Sequence, residues 1–364
     1  RPVSRRRQTQ IKMKTLIKSL KKVISVVPKK ASSAILGTIL LNSDGENLEI
    51  AAVGNELSIK ISLPYNNKLS CCLNGKLLFD FLRTANDVKL EQRERSLLVE
   101  SNNSKIELPI YPSEEFPQFF EIEGDKISVY ARDIKNAFRM VDFIPEREWY
   151  QDYKTSILLD YIHRFLRIVA SDDHRLGVFG TMVEVEEKID DRKVLISKDT
   201  ALILEKILPD DGEINIYFAK NGLFFEDKDG GTMFAQSING QFPDYEKVLP
   251  RDETTYCSFE VQREELIQSL SRVSLIADIA TIKVEDKLEI LGESEKGKIK
   301  EVVEIFDNKG NIESNYNVQY LLQPLSRIDN ETVQVKFGSY KIISLNSKQY
   351  IYVLSPVEGE GKNA

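Results

Sequence analysis

Apolar residues recur at helical spacing in three places, and each time alternating strands, a second helix and more strands follow. The first stripe is Leu16, Leu20, Val23, Ile24 and Val27, closed by Pro28. The second is Ile134, Ala137, Phe138 and Val141, and the third is Leu266, Leu270 and Val273. Spacings of three and four residues put each set on one helix face. Hairpin signals come next: Ile35–Leu41 runs through Asp44-Gly45 into Leu48–Ala52, Ile157–Leu159 leads to Leu166–Ala170, and Thr281–Val284 turns at Glu285-Asp286 into Leu288–Leu291. The pattern then predicts second helices over Lys76–Arg83, Lys198–Leu208 and Val318–Leu325, the middle one stopped by Pro209-Asp210-Asp211-Gly212. Strands return over Ser96–Pro109, Ile214–Ser237 and Val333–Leu354.

The cycle starts near Met13, Lys126 and Ser258, a period of about 110–130 residues, which is domain size and too long for a solenoid. The expected architecture is α+β: three repeated domains, each of two βαβββ units, with helices on one face of antiparallel sheet. The expected division is a leader over 1–12, domains over 13–123, 124–252 and 253–358, and a tail over 359–364. Three copies of one domain suggest a curved or closed assembly more than a catalytic cleft.

With 364 residues and 41% apolar content, each copy has enough material for a core. Three cysteines, Cys71, Cys72 and Cys257, offer no disulfide framework and fit a reducing compartment. No apolar run approaches the roughly 18–20 residues of a membrane span. Residues 1–12 are polar and basic without an apolar core, so they do not read as a signal peptide, and Met13 is the expected natural start.

Net charge is −7, which gives no global basic field. The charges are segregated, however. Lys and Arg gather on the helices, as Lys18, Lys21, Lys22, Arg83, Arg132, Lys135, Arg139, Lys198, Lys206, Arg263, Arg272 and Arg327, while acids gather in strands and loops, as in Glu184–Glu187 and Glu293–Glu295. Six helices lining one surface would make it positive, suited to a phosphate backbone. The plainer reading of each basic residue is a solvated helix face.

Two segments carry a family resemblance. Ala170-Ser171-Asp172-Asp173-His174-Arg175-Leu176-Gly177 resembles the A-T-D-G-H-R-L segment of the bacterial sliding clamp, the DNA polymerase III beta subunit. Asn239-Gly240-Gln241-Phe242-Pro243-Asp244-Tyr245-Glu246-Lys247-Val248-Leu249-Pro250 resembles that family's G-x-F-P-D-Y-x-x-V-L/I-P. Ala34–Gly37 looks like its P-I-L-G, and Tyr352–Val357 like its terminal Y-V-x-M-P-M. The resemblance covers Met13 to about Val357 and implies a head-to-tail homodimeric ring around duplex DNA, with helices inside and sheets outside. It implies sequence-independent DNA contact, and tethering of DNA polymerase and clamp loader through short linear peptides. It also implies a non-catalytic, cytoplasmic, nucleoid-associated protein without cofactor or metal.

By motif position the partner-peptide pocket would comprise Lys154, Ile157, Ser171, Asp173, His174, Arg175, Leu176, Pro243, Val248, Tyr320, Val353, Leu354, Ser355, Pro356 and Val357. Leu176, Val248 and Val353 would bury an apolar anchor and Arg175 would hold its polar flank. Asp173 stands where the family has glycine, Ser355 and Val357 where it has methionine, and Glu358 where it has a basic residue. Lys30, Lys76 and Gln151 match the family's DNA-contact loops. At the ring interface Ile106, Leu108 and Ile276 match apolar positions. Glu100 replaces a basic residue, and Lys298 and Lys300 fall in a normally acidic stretch. This partly exchanged charge pattern predicts a ring that closes but does not mix with an ordinary clamp.

A clamp paralogue that keeps the ring and has shed the general pocket is a second reading, motivated by Ser355–Glu358. An enzyme would need chemistry at Asp172, Asp173 and His174, but only His163 accompanies His174 in the whole chain, and no nucleophile elbow, P-loop or dinucleotide motif occurs.

Overall fold

The computed structural model describes residues 12–85, 87–101, 104–146 and 152–357. Gln151 and Glu358, and residues 1–11 and 359–364 of the expected leader and tail, lie outside the described residues. In the first copy the chain forms α1 (Met13–Ile24), β1 (Ile39–Asp44), β2 (Asn47–Val53), β3 (Leu57–Pro64), β4 (Lys68–Leu73), α2 (Gly75–Leu82), β5 (Lys89–Gln92), β6 (Ser96–Ser101) and β7 (Ser104–Tyr111). The second copy has β8 (Asp125–Tyr130), α3 (Ala131–Val141), β9 (Ser156–Ile162), β10 (Phe165–Ser171), β11 (Arg175–Met182), β12 (Arg192–Ser197), α4 (Lys198–Ile207), β13 (Glu213–Ala219), β14 (Gly222–Asp227) and β15 (Gly231–Gln236). The third has β16 (Cys257–Gln262), α5 (Arg263–Val273), β17 (Ile279–Val284), β18 (Leu288–Ser294), β19 (Gly297–Val303), β20 (Ile305–Lys309), β21 (Ile312–Asn317), α6 (Val318–Leu325), β22 (Thr332–Phe337), β23 (Ile343–Asn346) and β24 (Tyr350–Leu354).

The second copy is two successive βαβββ units, and the third repeats them with β20 added. The second helix of every copy starts on a polar residue at a strand end. Asn74 and Asn317 each accept a hydrogen bond from the backbone N–H three residues on, at 3.1 Å, and Ser197 Oγ accepts one from Thr200 N at 3.1 Å. Such caps satisfy N–H groups that the helix itself leaves unpaired. One expected strand start is corrected: Ile35–Gly37 is a single 3₁₀ turn, and pairing begins at Ile39. Thr38 makes the turn by donating from both its N–H and its hydroxyl to the Ile35 carbonyl.

The chain packs as two compact units. One holds the described residues through Lys135 with Glu184–Ile189 and Leu202–Ser237. The other holds those of Asn136–Val183, Asp190–Ala201 and from Ile238 onward. The first unit is built on an antiparallel sheet in the order β5-β6-β7-β4-β1-β2-β3-β15-β14-β13-β8. Strands of two copies join there, Gly231 opposite Ile61 through Ala235 opposite Leu57. Over it α1 buries Leu16, Leu20 and Val23 and packs beside α2.

The second unit has one sheet ordered β12-β9-β10-β11-β24-β23-β22-β16-β20 and another ordered β19-β18-β17-β21. Strands of copies two and three meet at β11 and β24, with Leu176 opposite Val353. α5 buries Leu266, Leu270 and Val273 and packs beside α6. Copies are therefore continuous through shared sheets, which is why the compact units do not follow the sequence repeat.

Candidate functional site

The β10–β11 turn, Ser171 to Arg175, is the centre of the candidate site. Asp172 Oδ1 accepts the N–H groups of His174 at 3.1 Å and Arg175 at 2.8 Å, while Ser171 Oγ donates to the Arg175 carbonyl at 2.8 Å. Asp172 Oδ2 accepts Arg175 Nε at 2.7 Å and lies 2.6 Å from Nη2. Both side chains are buried, so each charge needs the other. Arg175 also donates to Gln323 Oε1 at 2.5 Å and the Ile144 carbonyl at 3.2 Å, and stacks on Tyr320. Most of its donors are thus committed to the framework. Asp172 is likewise a turn-building residue, not half of an acid–base pair with His174.

Beside this turn lies a cleft of about 200 Å³ lined by Ser171, Asp173, His174, Arg175, Leu176, Phe242, Pro243, Asp244, Tyr245, Val248, Ile342, Val353 and Ser355. Its floor is an apolar cluster of Leu158, Val169, Leu176, Val178, Leu195, Ile238, Tyr245 and Val353, against which Phe242 and Ile342 pack. Val248 is 44% exposed at the opening. Tyr245 is fixed by donating its hydroxyl to Asp160 Oδ2 at 2.7 Å and accepting from Arg167 at 3.2 Å, and burial pushes that phenol's pKa well up. An apolar floor with a few fixed polar groups suits a short peptide anchor.

One rim is ionic. Asp173, at φ +72°, receives Lys154 Nζ at 2.5 Å and the Tyr153 hydroxyl. Lys154 first, then Tyr153, hold the Asp173 carboxyl below the usual carboxylate range. The same bond pushes the Tyr153 phenol up to about 12. Tyr153 meets Phe242 edge-on at 5.8 Å, and Phe242 meets Tyr245 edge-on at 6.1 Å.

Nine of the expected pocket residues thus share one cleft: Ser171, Asp173, His174, Arg175, Leu176, Pro243, Val248, Val353 and Ser355. Six do not line it. Ile157 and Leu354 are buried in the sheet, Tyr320 lies beneath Arg175, and Lys154 reaches only the rim. Pro356 and Val357 lie beyond Ser355, where Val357 N donates to the Asn315 carbonyl at 2.8 Å. Sequence reasoning missed Phe242, Asp244, Tyr245 and Ile342. The first three stand inside the Asn239–Pro250 motif already read; Ile342 precedes β23 and carried no signal of its own.

The basic residues divide into two groups. Lys18, Lys21, Lys30, Lys76, Arg83 and Lys206 are exposed, with no ion pair to another described residue, and exposed Arg132 only approaches its neighbour Asp133 at 3.8 Å. The other seven expected DNA contacts each make an ion pair or hydrogen bond within the chain. Lys22 pairs with buried Asp227 at 3.4 Å, Lys135 with Asp210 at 2.5 Å, Arg139 with Asp329 at 3.3 Å, Arg272 with Glu301 at 2.5 Å and Arg327 with Asp142 at 2.6 Å. Lys198 donates to the Pro145 carbonyl at 2.6 Å, and Arg263 to those of Asn330 and Leu325 at 3.0 and 3.3 Å.

Each unit also carries a strand edge. In the first, β4 reaches β7 only at Tyr111 and Ile110, so Ser104–Pro109 pair only with β6 among the described strands. In the second, β19 pairs only with β18 among the described strands. Ile106 and Ile276 are half-buried. Leu108 is buried within the chain itself. Glu100 pairs with Lys105 at 2.5 Å, Lys298 with Glu293 at 2.6 Å and Lys300 with Glu289 at 2.7 Å. The atypical charges are therefore answered on neighbouring strands of the same sheet.

Comparison with known proteins gives three consecutive family matches. The DNA polymerase III beta subunit N-terminal domain matches residues 8–120, its central domain 128–244 and its C-terminal domain 246–354. The beta sliding clamp of Pseudomonas aeruginosa is 25% identical over 338 residues, covering 89% of this chain and 91% of that protein. That of Haemophilus influenzae is 24% identical over 372 residues, covering 96% and 99%. Among solved structures, the P. aeruginosa sliding clamp bound to griselimycin has a TM-score of 0.87 at 24% identity, covering 95% of this chain and 98% of that one. The Bacillus subtilis DNA polymerase sliding clamp has 0.87 at 20%, covering 96% and 98%. With three clamp domains in order and the fold matched end to end, this chain belongs to the DNA polymerase III beta subunit family, the bacterial sliding clamps.

Proposed function

We propose that this chain closes head to tail with a second copy into a ring around duplex DNA and holds a DNA polymerase there as its processivity factor. The carrying observation is the unbroken run of three clamp domains over residues 8–354. The open edges of β7 and β19 support closure, since each leaves backbone N–H and C=O groups for a strand of another copy. The division into domains over 13–123, 124–252 and 253–358 belongs to the same proposal. The protein does no covalent chemistry, works in the cytoplasm at the nucleoid, and touches DNA through exposed cations without reading bases.

The cleft beside Ser171–Leu176 takes short apolar peptide segments of the polymerase and of the clamp loader. Its apolar floor and exposed Val248 favour this over a paralogue that has lost its pocket. Griselimycin, bound by the P. aeruginosa clamp, is a ready probe: it should compete with such a peptide on this chain.

Loading onto nicked circular DNA tests the ring. Protein retained on the circle through gel filtration, and released once the DNA is cut to a linear form, is the expected result. Equal release from circular and linear DNA would remove encirclement.

A further inference from the structure

We infer that Asp173 fills, with the chain's own carboxylate, a recognition site for an acidic side chain at the rim of the cleft, so that the cleft selects partner peptides carrying basic rather than acidic flanks. The inference rests on the peptide-binding reading of the cleft and names which peptides it accepts.

The turn bearing Asp173 is built without it. Its hydrogen bonds come from Asp172 and Ser171, so the Asp173 carboxylate makes none of them. The backbone there is left-handed, at φ +72°, a conformation that glycine adopts freely and aspartate tolerates. From that position the carboxylate reaches Lys154 and the Tyr153 hydroxyl, on a segment about twenty residues earlier in the chain.

An ammonium and a phenol converging on one oxygen pair form a carboxylate receptor. Tyr153 is held in place by its edge contact with Phe242, which lines the same cleft. An acidic residue from a peptide finds this receptor already facing a carboxylate and meets the charge of Asp173, whose side chain is 45% exposed. The second acid of the lining, Asp244, is likewise ion-paired, with Lys247 at 3.1 Å, so the Asp173 variants isolate the part of the preference that Asp173 sets. A lysine or arginine in the peptide is instead drawn to Asp173. Selection of this kind arises from repelling the wrong partner as much as from attracting the right one.

The test uses three fluorescent decapeptides with the same leucine and phenylalanine anchors and Lys, Asn or Asp on both flanks, titrated into the full chain by anisotropy at low salt. The Lys-flanked peptide should bind about fivefold more tightly than the Asp-flanked one. The preference should fall below about twofold in both Asp173→Asn and Asp173→Gly. A preference that survives both substitutions, or its absence from the unmodified chain, overturns the inference while leaving the cleft a peptide site. Failure of all three peptides to bind overturns the peptide-site reading, and this inference with it.

Discussion

Arg175 sits over the Tyr320 ring, its guanidinium carbon 3.9 Å from the ring centre, while the same group grips Asp172. This joins the first residue of β11 to helix α6 and stiffens the turn that borders the cleft. Removing one member leaves a buried charge without its partner. Arg175→Met should lower stability by about 3–5 kcal/mol, and Asp172→Asn by a similar amount. The double variant should lose less than the sum, because it strands neither charge. Urea denaturation of the three proteins measures this, and strict additivity would refute the coupling.

Leu176 and Val248 both line the cleft but differ in burial, at 4% and 44% exposed. Leu176→Ala should cost about 2–4 kcal/mol of stability, because it opens a cavity in the floor. Val248→Ala should leave the unfolding midpoint within about 0.5 kcal/mol and weaken an apolar peptide several-fold. Thermal unfolding combined with peptide titration separates the two.

The thiols of Cys71, Cys72 and Cys257 are pushed by burial up to about 12, 11 and 11. Thiolate is the reactive form, so a thiol reagent at pH 8 should label none of them in the native protein and all three in denaturant. Folded thiols that keep their protons above the unfolded pKa contribute stability that is full below that value. The contribution is lost as pH rises through the folded values, so stability should decline between about pH 9 and 12. Rapid native labelling at pH 8 would contradict this.

The division of the basic residues predicts two kinds of variant. Replacing Lys18, Lys21 and Lys76 together by alanine should leave stability nearly unchanged and lower the salt dependence of DNA association by up to about three counterions per chain. Arg327→Ala should instead destabilise the fold, since Arg327 holds Asp142 and the Arg139 carbonyl. Unfolding curves and a salt series on circular DNA check both.

At the ring edges Glu100, Lys298 and Lys300 are answered by Lys105, Glu293 and Glu289 of their own sheets. Closure of the proposed ring should therefore rest on strand pairing and on Ile106 and Ile276 more than on charge. Light scattering should give a mass near twice 41.7 kDa that persists to about 1 M salt, where the screening length is only about 3 Å. A monomer at every concentration would remove the ring.

What the sequence determined by itself was local and periodic. The stripes Leu16-Leu20-Val23 and Leu266-Leu270-Val273 are helix faces because a 3.6-residue repeat leaves those residues no other common side. Asp44-Gly45 and Glu285-Asp286 are turns for reasons internal to the chain. The two motif segments, Ala170–Gly177 and Asn239–Pro250, hold most of the residues that line the cleft. The tertiary structure decided which charges are open. Lys22 and Lys21 are neighbours with the same side chain, yet only Lys22 reaches Asp227, 205 residues away. It also decided that Arg175 is framework, that Leu108 is interior, and that Ile342 joins the lining. These outcomes depend on partners remote in sequence, and neither periodicity nor composition carries distance between residues far apart in the chain.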